Sequence, residues 1–261
     1  MAAPRGRDHE QMGPFLATFS PATDNPYLNY AIPDDGATPS DGEVAALAEA
    51  YQRRERRPRL EYIPSLAPAV EPALLTAGFD VEGRLPLMAY AGGPDAPPPD
   101  GIELLEARSE EELRGVASVQ WEAYGESGPL PQRVVDGLRR TGEAGGLVVL
   151  AREAATREPA GGGLCTGPYE GATELTSIGV RESFRRRGIA EAMTRRLARE
   201  MHVRGNDGVF LMAAGEREAR IYERAGFTTV SDILHISKEL RSDPYGVRPH
   251  EGRSLSRAKP A

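Results

Sequence analysis

The stretch Leu175-Thr-Ser-Ile-Gly-Val-Arg-Glu-Ser-Phe-Arg-Arg-Arg-Gly-Ile-Ala190 runs from a β-forming segment through a basic turn into a helix. The segment from Glu174 to Val180 predicts a strand. From there on, Ile189, Met193, Leu197 and Met201 recur every four residues and predict one buried stripe of a helix over 188–204. Gly205-Asn206 supplies its C-terminal stop. Gly188 therefore falls at the helix's positive end, where free N–H groups point outward and the dipole favours an anion. Glycine allows close backbone approach, Ala190 keeps the first turn narrow, and Arg185, Arg186 and Arg187 add fixed positive charge. A pyrophosphate placed there would collect several charge-assisted hydrogen bonds, each worth about 1.5–3 kcal/mol. Taken alone, such a turn could serve many phosphates or simply be a basic loop. The chain contains no GxxxxGK[ST], which excludes a Walker A loop, and no GxGxxG, which argues against a dinucleotide site.

Upstream, Ile102-Glu-Leu-Leu105 predicts a short strand, and Ser109 with three glutamates after it caps a helix running to about Tyr124. A second helix is expected over 131–140, then strands over 147–151 and 161–165. The Gly161-Gly162-Gly163 run reads as a hairpin bend. Downstream come a strand at Val209-Phe-Leu-Met212, a helix over 216–224 and a last strand over 227–236. The order β-α-α-β-β-β-α-β-α-β predicts an α/β (α+β) sandwich.

Two motifs in this order resemble the GNAT superfamily of N-acetyltransferases. Its acyl-CoA signature, [Q/R]-x-x-G-x-[G/A] after an apolar strand, is similar to Arg185-Arg-Arg-Gly188-Ile-Ala190. Its later Y-E-x-x-G-F segment is similar to Tyr222-Glu-Arg-Ala-Gly-Phe227. The resemblance covers roughly 102–240. It implies a mixed central sheet flanked by helices, with acetyl-CoA as co-substrate and an amine as acceptor. The pantetheine arm is then expected along Ile178, Gly179 and Val180, pairing with backbone groups as an added strand would. The amides from Arg186 through Arg187, Gly188 and Ile189 to Ala190 are expected to hold the pyrophosphate beside Arg185, with Tyr222 near the thioester sulfur. One departure stands out: Gly215 occupies the place of the family's usual asparagine, seven residues before the tyrosine.

Direct attack on a thioester requires a neutral amine, and a lysine-like amine of pKa about 10.4 costs about 4–5 kcal/mol to deprotonate at neutral pH. A general base or a desolvating pocket must offset part of that. Glu174, at the start of the predicted strand, is the first candidate base; the bland alternative is a solvated strand-end carboxylate. Strict alternation would place Glu174 on the face of Ile178 and Val180, away from where a base is wanted. Glu122, Tyr124, Glu126 and Asp232 are rivals for acceptor binding. Tyr222 is the candidate proton donor to the leaving thiolate; its bland alternative is packing. Cys165 reads as a small strand residue and Trp121 as core. His202 and His235 are isolated, without HExxH or a cysteine partner, so no metal site is expected.

The formal charge of −7 over 261 residues argues against a nucleic-acid binder and mildly favours a cationic acceptor. No apolar run approaches the roughly 20 residues that span a bilayer, so no membrane partner is expected. One cysteine excludes an internal disulfide, and a cytoplasmic protein is the plain reading. Oligomeric state is not legible.

The Pro/Gly-rich run Ala91-Gly-Gly-Pro-Asp-Ala-Pro-Pro-Pro-Asp-Gly101 reads as a stiff linker. It divides an N-terminal domain, 1–92, from a catalytic domain, 102–240, with 93–101 as connector and a polar tail, 241–261, expected to be disordered. The N-terminal part carries a faint internal repeat. Ala77-Gly-Phe79 echoes Ala225-Gly-Phe227 at an offset of 148, and Arg84-Leu-Pro-Leu-Met88 falls on Asp232-Ile-Leu-His-Ile236. A degenerate half-copy of the catalytic fold is inferred, and an unrelated cap domain is the alternative. Its turn, Ala37-Thr-Pro-Ser-Asp-Gly42, lacks the arginines and central glycine, and Leu74 stands where Tyr222 would be, so no coenzyme is expected there.

Overall fold

Two helices begin where a polar side chain satisfies their first amides. Ser40 and Ser109 each form a reciprocal capping box, with Glu43 and Glu112 respectively. A computed structural model describes residues 8–21, 23–93 and 96–240. The expected disorder of 241–261 and the linker residues Pro94 and Asp95 lie outside them. In chain order the elements are β1 (Asp8–Met12), β2 (Phe15–Phe19), β3 (Ala31–Pro33), α1 (Asp41–Arg53), β4 (Arg59–Tyr62), α2 (Val70–Thr76) and β5 (Asp80–Tyr90). Then follow β6 (Ile102–Glu106), α3 (Glu110–Ala123), α4 (Gln132–Glu143), β7 (Leu147–Glu153), β8 (Pro159–Cys165) and β9 (Ala172–Val180). The chain closes with α5 (Ile189–Val203), β10 (Gly208–Met212), α6 (Glu216–Arg224) and β11 (Phe227–Ser237).

From β6 onward this is the expected β-α-α-β-β-β-α-β-α-β order. The described residues divide into two compact units, 8–85 with 231–240, and 86–230. The division falls inside β5 and β11, not in the Pro/Gly-rich run. The start of that run is bonded to the second unit: Ala91 N–H donates to the Gly226 carbonyl (2.9 Å), and Gly93 N–H to the Tyr90 hydroxyl (3.1 Å).

In the first unit β1, β2 and β3 are antiparallel neighbours, β3 and β4 run parallel, and β4 pairs antiparallel with β11 through Leu234↔Tyr62 and Ile236↔Leu60. Val44, Leu47 and Tyr51 of α1 and Leu74 of α2 bury against Leu60, Leu234 and Ile236. The succession β3-α1-β4-α2-β5 repeats β9-α5-β10-α6-β11, so this unit is a smaller, related subdomain of the same fold. At its first helix, however, the Glu43 carboxylate accepts from the Ser40 amide at 2.8 Å. The helix N-terminus, the place for an anion, is filled by the protein's own carboxylate.

In the second unit the strand order is β5-β10-β9-β8-β7-β6, antiparallel throughout except for β9 with β10. One face packs on α5 through Met193, Leu197, Met201 and Leu211; the other packs on α3 and α4 through Val116, Leu138 and Leu150. Gly161, Gly162 and Gly163 lie within β8, not at the expected bend. A Cβ on Gly162 would stand 2.9 Å from Val116 Cγ1 and 3.2 Å from its Cα. One on Gly161 would stand 2.8 Å from Met193 Cε, and one on Gly163 would collide with Ile178 Cδ1. The glycines let helices close on the strand from both faces. Trp121 is half-buried instead of core. Among the described residues no helix is long and apolar enough to cross a membrane.

Candidate active site

The site is built on an irregularity in β9. Gly162 pairs with Gly179, but Leu164 pairs with Thr176, so Ser177 and Ile178 together oppose Gly163. Ser177 takes φ +59°, the left-handed position that such bulges usually give to glycine. The extra residue inverts the alternation. Leu175 before the bulge and Ile178 and Val180 after it all pack in the α5-side core, so Glu174 stands on the opposite face. The expectation from strict alternation is thereby corrected, and in the direction a base at Glu174 would need.

The parallel ladder between β9 and β10 runs from Gly208↔Ala172 to Phe210↔Glu174. Past Glu174 the two strands share no register pair, so from Leu175 on β9 leaves the ladder with β10. An extended chain with amide groups, such as a pantetheine arm, can pair with a strand edge.

At the end of β9 the chain enters a cleft of about 460 Å³. Val180, Phe184, Arg185, Arg186, Gly188, Ile189 and Ala190 line it from the β9–α5 turn, and Arg220, Ile221 and Arg224 line it from α6. Arg186 (φ +62°) and Gly188 (φ +76°) both hold left-handed backbone, which turns successive amides toward one side as an anion-binding nest. The first amide to bond back onto Gly188 is that of Ala192, at 3.0 Å, so the amides ahead of it have no acceptor within the helix. Arg187 departs from the expected set: its guanidinium stacks on Phe184 at 5.2 Å and does not line the cleft. Arg185 leans back, its Nε donating to the Val180 carbonyl at 3.3 Å. Glu191 also lines the cleft, but Arg195 (2.7 Å) and Arg224 (2.9 Å) neutralise it. Amides, guanidinium groups from two elements and an apolar floor together fit a pyrophosphate with an apolar arm.

Tyr222 is half-buried on α6, one residue from Ile221 of the cleft. Burial, then Glu218 and Tyr124, push its phenol up to about 12. Tyr124 closes α3, and burial raises its phenol too, with the neighbouring Ser177 side chain working the other way. The structure thus brings Tyr222, Tyr124 and the β9 bulge into one neighbourhood. Other rivals are drawn elsewhere. Glu122 pairs with Arg181 at 3.1 Å, and Asp232 pairs with Arg84 at 2.9 Å within the first unit. Glu126 is exposed in the loop after α3. Cys165 is fully buried, and burial pushes its thiol up to about 12, which leaves it unreactive. Among the described residues no cluster of three or more His, Cys, Asp or Glu side chains could hold a metal ion.

Arg220 and Arg224 had no sequence signal as site residues, because only the packing of α6 brings them to the cleft.

The Acetyltransferase (GNAT) family model matches residues 111–227, from α3 to the first residue of β11. This segment has the GNAT acetyltransferase fold. No curated protein sequence matches the chain. Among solved structures, the GNAT fold of this chain is similar to a GCN5-related N-acetyltransferase from Kribbella flavida, with TM-score 0.70 and 22% identity over 90% of each chain. A GCN5-related N-acetyltransferase from Sphaerobacter thermophilus has TM-score 0.66 and 21% identity, over 88% of this chain and 78% of that one. A tandem GNAT protein from the clavulanic acid biosynthesis pathway has TM-score 0.63 and 13% identity, over 92% and 86%. These likenesses concern the fold, including its tandem arrangement.

Proposed function

We propose that this GNAT domain transfers the acetyl group of acetyl-CoA directly to an amine, in the cytoplasm, with Glu174 as general base and Tyr222 as proton donor. The observation that carries this is the shared α5–α6 junction. One helix start and one turn of α6 line a cleft suited to a pyrophosphate, and the same turn of α6 carries the tyrosine. Arg185, Arg186, Gly188, Ile189 and Ala190 would hold the pyrophosphate, the backbone of Arg187 contributing, and Ile178, Gly179 and Val180 would flank the arm. When bound, the coenzyme supplies a thioester, whose C–S bond breaks as a C–N bond forms to the amine. Glu174 takes the amine proton, directly or through water. Tyr222 keeps its phenolic proton at neutral pH and gives it to the departing sulfur. The thiol's ordinary pKa is near 8.5, so that help is modest.

Gly215 supports a second reading, an acyl-CoA sensor without turnover. It caps α6 with no side-chain hydrogen bond, where the family carries asparagine. Free-thiol release from acetyl-CoA, measured across a panel of amines, separates the two. The enzyme reading expects release that one amine accelerates and that Glu174→Gln lowers by about 100-fold or more. Coenzyme binding with release indifferent to every amine would favour the sensor.

A further inference from the structure

Ser177 holds a left-handed backbone without being glycine, and such strain persists only where its surroundings impose it. The restraint comes from α3. Gln120, 7% exposed, donates from Nε2 to the Ser177 carbonyl at 2.8 Å. One helical turn later Tyr124 lies near enough for the Ser177 side chain to temper its raised phenol. Gly179 makes room for this approach: a Cβ there would stand 3.1 Å from Ala123 Cβ.

Resting on the acyl-transfer reading, we infer that Gln120 is a positioning residue for the reaction, because its hydrogen bond to Ser177 holds the bulge that sends Glu174 and Ile178 to opposite faces of the sheet. Without the bulge, residues 174 and 178 share a face, and the base and the wall of the coenzyme arm lie on the same side. Gln120 touches neither substrate; it acts through Ser177.

Two substitutions test this. Gln120→Leu keeps the bulk and removes the donor, and should lower kcat by about 10- to 100-fold. Adding Ser177→Gly should recover much of that loss, since glycine holds the left-handed conformation unaided. Gln120→Glu provides a pH readout. Ionised, its carboxylate has no proton to offer the Ser177 carbonyl; protonated, it donates O–H. Activity relative to the parent should therefore match Gln120→Leu at high pH and climb as pH falls through the raised pKa of a buried carboxyl. Hydrogen exchange of amides 176–180, which needs no turnover, should be faster in Gln120→Leu. A parent with no amine-dependent turnover sinks the acyl-transfer reading and leaves the exchange result to judge Gln120. Parental exchange in Gln120→Leu overturns the proposal. So does a kcat loss that neither Ser177→Gly nor acid repairs, for Gln120 would then be a packing residue.

Discussion

Tyr222 meets Phe227 edge to face with ring centroids 6.3 Å apart, because α6 ends at Arg224 and the chain turns through Ala225-Gly226 straight into β11. The contact belongs to the ring and leaves the hydroxyl for chemistry. Tyr222→Phe should therefore keep the fold and the affinity for acetyl-CoA while lowering kcat by about 10- to 100-fold, since the thiolate leaves tolerably unaided. Steady-state kinetics with the best amine checks this. An unchanged kcat would make Tyr222 a packing residue.

The same tyrosine makes a claim about pH. Its phenol is raised to about 12, chiefly by burial, so the protonated form is favoured in the folded protein. A raised acid keeps its contribution below the unfolded pKa of about 10 and loses it as pH rises toward the folded value. The kcat profile should thus show no Tyr222 limb at the ordinary tyrosine position. A falling limb near pH 10 that Tyr222→Phe abolishes would contradict the assignment.

Leu74 stands in the first unit where Tyr222 stands in the second, and it is fully buried. Leu74→Ala should cost about 2–5 kcal/mol of stability, read by urea unfolding, and leave acetyl-CoA affinity nearly unchanged. Loss of affinity in protein that remains folded would show that this half takes part in coenzyme binding.

The glycines of β8 predict an unequal pair. Gly162→Ala presses on the backbone as well as the side chain of Val116 and should cost about 1–3 kcal/mol. Gly161→Ala meets first the flexible end of Met193 and should cost less. Equal losses in urea unfolding would mean that α3 is as free to yield as the methionine tip.

Much of this was legible beforehand because local chemistry sufficed. Ser109 with Glu112 fixes the start of α3, and the four-residue recurrence from Ile189 to Met201 fixes α5 and with it the position of Gly188. The face of Glu174 was not legible. The bulge that decides it rests on a serine in a glycine's conformation, held by Gln120 from 57 positions away, and no periodicity encodes such a contact. Gly161-Gly162-Gly163 misled for a related reason. Three glycines in a row signal a bend locally, while their use is to admit α3 and α5, which only tertiary packing reveals. The compact units part within β5 and β11, where no proline or glycine run marks the sequence, since such runs signal breaks in secondary structure and not in packing.

The central claim, that the left-handed start of α5 holds the coenzyme's pyrophosphate, meets its most direct test in the thermal shift on adding acetyl-CoA. Gly188 has open space around it, a built Cβ meeting only Pro99 Cγ at 3.7 Å, so a side chain there would extend without collision. Gly188→Glu should abolish the shift by placing a carboxylate at the anion position. Gly188→Asn, neutral and tolerant of left-handed backbone, should retain part of it and control for strain. A Gly188→Glu protein that is folded and stabilised by acetyl-CoA as strongly as the parent would contradict the account.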